Sequence, residues 1–135
     1  MDPHEQSGGY AVGVLVQANF GLRHQLRIAG VPVGLEITEN LLWSKETGSI
    51  IIVVATDAPL LPHQLERLVK RAALGLARVG SYAGNSSGDL FVAFSTANRA
   101  AAQRTGVAQI EMLPNERIDP LLLATVRATD RYVIA

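Results

Sequence analysis

The chain has 135 residues, 48% hydrophobic and 18% charged, enough for one domain with a real core or for part of a larger one. Its twelve basic and twelve acidic side chains cancel, and the basic ones are dispersed, so neither nucleic acid nor an anionic membrane is an expected partner. The absence of cysteine excludes disulfides and thiolate metal sites; His4, His24 and His63 lack ligand spacing, and neither a metal nor another cofactor is expected.

The first nine residues are polar, without the basic and apolar regions of a signal peptide. The longest apolar run, Ile50 to Ala55, is far too short to span a bilayer, and a soluble cytoplasmic protein is expected. Ala11 to Gln17 is β-branched and apolar nearly throughout and predicts a buried strand. Asn19-Phe20-Gly21 supplies turn chemistry, and Arg23 to Ile28 ends in polar–apolar alternation, so the two segments read as a hairpin. Gly30, Pro32 and Gly34 mark a loop with room for a short strand, and Leu41 to Gly48 reads as a surface connection. Ser49 to Thr56 is the strongest strand, and its continuous β-branched run predicts burial on both faces.

From Pro62 to Val79 the period becomes helical. Leu65, Leu68, Val69, Ala72, Ala73, Leu76 and Val79 share a stripe, Glu66 and Lys70 form an i,i+4 pair, and Gly80 ends the helix. A small-residue loop from Ser81 to Gly88 leads into a strand over Asp89 to Ser95, and Gly106 to Leu113 is a further candidate strand. Asp119-Pro120 opens a second helix, with Asp119 as cap and Leu122, Leu123, Val126, Thr129, Tyr132 and Val133 as its buried stripe. The order β-β-β-α-β-β-α predicts sheet with helices packed on it.

Three features carry candidate chemistry, each with a plain structural alternative. Gly48-Ser49 fits a loop entering a sheet, where small residues are common; it also fits self-processing, with the Ser49 hydroxyl attacking the Gly48 carbonyl. That cleavage would place a nucleophile and an α-amino group, which ordinarily titrates at about 7.7–8.0, on one residue. The loop Tyr82 to Asp89 fits a helix-to-strand connection. A phosphate cradle is disfavoured because no Lys-Ser/Thr follows and Asp89 closes the loop; Ser87 and Asp89, two residues apart, better suit a proton-relay network. Asn19 fits a turn, or an oxyanion-hole amide.

Together these segments resemble the DmpA-type aminopeptidases, or L-aminopeptidase/D-esterases (peptidase family S58), with the β-peptidyl aminopeptidases as relatives. The matching stretches are Val12 to Gly21, Thr47 to Leu60, Gly80-Ser81-Tyr82, Gly84 to Asp89 and Phe94 to Asn98. The resemblance implies a truncated α/β fold, part of a four-layer α/β/β/α sandwich of the DmpA/ornithine-acetyltransferase type. It implies self-cleavage at Gly48-Ser49 into an α-chain region ending at residue 48 and a C-terminally shortened β-chain region, 49–135. Ser49 is the implied nucleophile, Ser87 and Asp89 its hydroxyl–carboxylate support, and Asn19 the oxyanion amide. The implied activity is release of N-terminal residues from peptides, amides or esters. The implied partners are the missing N-terminal part of its own precursor and further copies, in a homo-oligomer of processed heterodimers. The alternatives are an inactive truncated fragment and an ornithine-acetyltransferase-like acyltransferase, whose threonine nucleophile Ser49 does not match.

Overall fold

The computed structural model describes residues 9–37, 39 and 48–134, so most of the Leu41–Gly48 connection lies outside the described residues. Strands β1 (Val12–Asn19), β2 (Ser49–Thr56) and β3 (Leu90–Ser95) form one mixed sheet in that order. β1 runs antiparallel to β2, from Val12 opposite Thr56 to Asn19 opposite Ser49. β3 runs parallel to β2, from Ile51 beside Leu90 to Thr56 beside Ser95. Helix α1 (Pro62–Arg78) connects the parallel pair, and helix α2 (Asp119–Ile134) follows β3 after a long irregular stretch.

The core lies between one face of the sheet and the two helices. Ile50, Ile52 and Val54 of β2 are buried there with Leu68, Ala72 and Leu76 of α1 and Leu121 and Leu122 of α2. Full burial stabilises each large aliphatic side chain by about 1.5–3 kcal/mol. The burial of β2 on both faces is not observed: it alternates, with Ile52 buried and Ile51 40% exposed. Among the described residues no second layer covers the other face, where Leu15, Leu90, Val92 and Phe94 also stand exposed.

The hairpin of β1 with residues 23–28 is not formed either. Arg23–Gln25 is a single 3-10 turn, and the strand pairs instead with the distant β2, whose eight residues offer a longer ladder. β1 also runs two residues past Gln17, which places Asn19 in the sheet instead of in a turn. Gly106 to Leu113 forms no strand. It is tethered at its end by an Asn98 side chain that both donates to the Glu111 carbonyl and accepts the Glu111 N–H, and by the Leu113 N–H to the Pro59 carbonyl. An amide side chain thus supplies the two bonds that a neighbouring strand would make.

Helix α1 starts at Pro62 and is followed by Gly80, whose φ of +111° suits the left-handed position after a helix. Gly80 also abuts the Gln25 carbonyl, where a Cβ would lie 1.9 Å from the oxygen. The Glu66–Lys70 pair is present at 2.6 Å, and the ammonium holds the Glu66 carboxyl below its ordinary value. The buried face of α1 is rotated from the predicted stripe: Gln64 and Gly75 are buried, whereas Ala73 is exposed. Gln64 is tolerated because its amide is fully used. Its oxygen accepts the Leu61 N–H, and its nitrogen donates to the Leu113 carbonyl and Asn115 Oδ1. Gly75 is the close contact with α2, where a Cβ would lie 2.6 Å from both Thr129 Cβ and the Val126 carbonyl oxygen. On α2, Leu122 and Thr129 are buried as expected, but Leu121 and Thr125 replace Leu123 and Tyr132, which face outward. The buried threonines each donate to the carbonyl four residues earlier, leaving no polar orphan.

Candidate active site

The β1–β2 ladder ends at the pair Asn19–Ser49, and directly opposed residues of an antiparallel pair have Cβ atoms roughly 5 Å apart. Both side chains lie on the sheet face away from the helices, because Ile50, next in line, is buried toward them. Asn19 is exposed and its side chain makes no hydrogen bond among the described residues, so its amide donors are available.

Gly48 precedes Ser49 where the chain passes tightly over β1. A Cβ there would lie 2.4 Å from the Asn19 carbonyl oxygen and 2.5 Å from Phe20 Cα, so only glycine fits without displacing backbone. A small residue entering a sheet is thus a steric requirement here, and it presses the Gly48–Ser49 bond against the end of β1.

The other side of the cluster comes from the loop that follows α1. Since β2 and β3 are parallel neighbours, the residues before Leu90 return beside the start of β2. Ser87 is held by its N–H to the Gly84 carbonyl at 2.8 Å. Its hydroxyl donates to Asp89 Oδ1 at 2.5 Å, and the same oxygen accepts the Ile50 N–H at 3.2 Å. The Gly88 N–H donates to Ser49 Oγ at 3.0 Å. The carboxylate thus fastens the loop to the residue after Ser49, while the peptide between Ser87 and Asp89 touches the serine itself.

The structure brings Asn19, Gly48, Ser49, Ser87 and Asp89 to one end of the sheet. Ser87 reaches Asp89, and its contribution to Ser49 runs through the shared loop. The Gly88 amide and the Ile50 N–H are part of the arrangement and were not singled out in the sequence, since a backbone donor has no side-chain signature. Among the described residues no group of His, Asp and Glu side chains gathers that could hold a metal, and no helix is long and apolar enough to cross a membrane.

The family model for peptidase family S58 matches residues 2–135. The chain belongs to peptidase family S58. It is 48% identical over 141 residues to the β-peptidyl aminopeptidase BapA of Sphingosinicella microcystinivorans, a match covering 92% of this chain and 35% of that protein. Among solved structures it is similar to the L-aminopeptidase/D-Ala-esterase/amidase of Ochrobactrum anthropi, described as a prototype of the serine aminopeptidases and a variant of the Ntn-hydrolase fold. That likeness has a TM-score of 0.85 at 45% identity, over 94% of this chain and 36% of the other. The PH0078 protein of Pyrococcus horikoshii OT3 superposes with a TM-score of 0.82 at 53% identity, over 93% of this chain and 34% of the other. The S58 chain described here therefore spans about a third of the length of the relatives it matches, and its fold is the α/β fold of these neighbours.

Proposed function

We propose that this chain carries the nucleophile end of an autoprocessing serine aminopeptidase, amidase or esterase of the N-terminal-nucleophile type. The observation that carries the reading is the setting of Ser49. It follows a sterically obligatory glycine, stands opposite Asn19, and accepts a hydrogen bond from the loop that bears Ser87 and Asp89. In processing, Ser49 Oγ attacks the Gly48 carbonyl carbon. The C–N bond breaks, the hydroxyl proton passes to the Ser49 nitrogen, and an ester joins Gly48 to Oγ. Water hydrolyses the ester, leaving a Gly48 carboxylate and a free Ser49.

The new α-amino group, of a kind that ordinarily titrates at about 7.7–8.0, then serves as general base for the Ser49 hydroxyl. Asn19 donates to the oxyanion of the tetrahedral intermediate, and Ser87 with Asp89 forms the polar network that supports the loop and relays protons. The products are a 1–48 and a 49–135 segment that remain paired through the β1–β2 ladder. The substrate is an N-terminal residue of a peptide, amide or ester. The walls of its pocket come from the remainder of a longer precursor, which also covers the bare sheet face; processed heterodimers then associate into an oligomer.

Intact mass of the purified wild-type chain and of Ser49→Ala tests the reading. Two fragments meeting at Gly48-Ser49 are expected for wild type and one uncut chain for Ser49→Ala. A wild-type chain that stays whole, also when co-expressed with the remainder of a full-length relative, would refute it.

A further inference from the structure

We propose that the Gly88 backbone N–H is a catalytic donor to the nucleophile, one that favours the ionised form of the Ser49 hydroxyl. The proposal rests on the reading of Ser49 as the attacking group and adds a residue to it. Gly88 N–H reaches Ser49 Oγ at 3.0 Å in the uncut chain. A hydrogen bond made to the charged form of a group lowers that group's pKa, and a donor fixed in advance costs no reorganisation when charge develops.

The surroundings fix this donor from both sides. On one side Ser87 is tied to Gly84 through its N–H and to Asp89 through its hydroxyl. On the other, Asp89 is tied to the Ile50 N–H, one residue beyond the nucleophile. The Gly88 peptide therefore sits between two anchored residues, Ser87 held within the loop and Asp89 tied to the start of β2, and its N–H has little freedom to turn away. Ser87 and Asp89 thereby act on Ser49 as positioning residues through the peptide they flank.

Glycine suits the position for a second reason. A Cβ at residue 88 would lie 3.4 Å from Ser49 Oγ, in ordinary contact. Gly88 has no positive φ. Alanine is therefore compatible with the backbone and keeps the N–H, but sets a methyl group against the hydroxyl. Proline removes the donor altogether.

The chain contains no cysteine, so Ser49→Cys carries its single thiol, and thiolate absorbance against pH reads the ionisation of that one group. Relative to Ser49→Cys alone, adding Gly88→Pro is expected to weaken the thiol's acidity by about tenfold, one pKa unit, while Gly88→Ala changes it much less. Equal ionisation constants in the Gly88 and Gly88→Pro backgrounds, with circular dichroism showing both folded, would overturn the proposal. Should Gly88→Pro fail to fold, amide exchange decides without any change at residue 88. Gly88 is exposed, and its N–H donates to Ser49 Oγ. Exchange at Gly88 is expected to be about tenfold or more faster in Ser49→Ala than in Ser49→Cys or wild type; an unchanged rate refutes the donor role. Neither measurement requires cleavage or turnover, so failure of the processing reading and failure of this one are separate results.

Discussion

Replacing Gly48 by alanine tests how far the tight passage over β1 controls the bond before Ser49. The added Cβ would stand 2.4 Å from the Asn19 carbonyl oxygen, 2.5 Å from Phe20 Cα and 2.9 Å from Phe20 Cβ. Two of those three atoms are backbone, so no side-chain rotation relieves the overlap. To restore an ordinary contact the chain before β2 must retreat by about 1 Å, and overpacking of this kind costs about 1–3 kcal/mol. The lower end applies, because Gly48 lies outside the ladder, next to its terminal pair. The effect on chemistry is larger, since a misplacement of about 1 Å slows a positioned reaction on the order of a hundredfold. Gly48→Ala is therefore expected to remain folded, to melt slightly earlier in urea, and to cleave about a hundredfold more slowly in an intact-mass time course. Gly13→Ala is the control: it lies in the same β1–β2 ladder, and a Cβ there meets nothing within 4 Å. That variant should gain about 0.5–1 kcal/mol and keep wild-type processing. Gly48→Ala cleaving at the wild-type rate would refute the steric argument.

Three further substitutions probe the scaffold. Gly75→Ala gains about 1 kcal/mol of helix propensity but forces α1 from α2 at a 2.6 Å overlap with Thr129 and Val126, so a net loss of about 1–2 kcal/mol is expected in urea melts. Ala29, with φ of +51°, precedes Gly30 in the turn closed by Ile28 and Val31; Ala29→Asn should stabilise by about 0.5–1 kcal/mol in the same assay, and a loss would contradict the strain argument. Asn98→Ala removes both bonds to Glu111, and limited proteolysis should then cut within residues 99–112 before α2, at sites that wild type protects.

The elements with a strong local period were legible in the sequence: β2, the bounds of α1 with Pro62 and Gly80, and the start of α2 at Asp119-Pro120. What depended on the partner was not. Turn chemistry after β1 points to a pairing with the segment next to it, yet Arg23–Gln25 turns back on itself and the ladder is made with the distant Ser49–Thr56. The buried face of α1 includes Gln64, a polar residue outside the apolar stripe, whose amide is satisfied in the core by Leu61, Leu113 and Asn115. Asn98 hides the fate of residues 106–113 in the same way, by substituting a side chain for a strand. At the site, Ser49, Ser87, Asp89 and Asn19 stood out by residue type and by resemblance; the Gly88 N–H belongs to the backbone and only the structure reveals it.

The site and the bare sheet face are one problem in packing. Ser49 and Asn19 project from the same face as Leu15, Ile51, Val92 and Phe94, so whatever buries that apolar surface also roofs Ser49. A sheet of three strands with helices on one face leaves its second face to water, and apolar area of this kind marks a surface built to be covered. The polar contacts to Ser49 and its neighbour are nevertheless completed from within, by residues of the loop between α1 and β3. Positioning of the hydroxyl is thus a property of the crossover that joins β2 to β3, while the proposed function assigns exclusion of water and choice of substrate to a layer over the sheet. The two can fail separately: a chain with its second face uncovered retains the geometry at Ser49 and the Gly88 donor, but lacks the low-dielectric enclosure that strengthens fixed donors further.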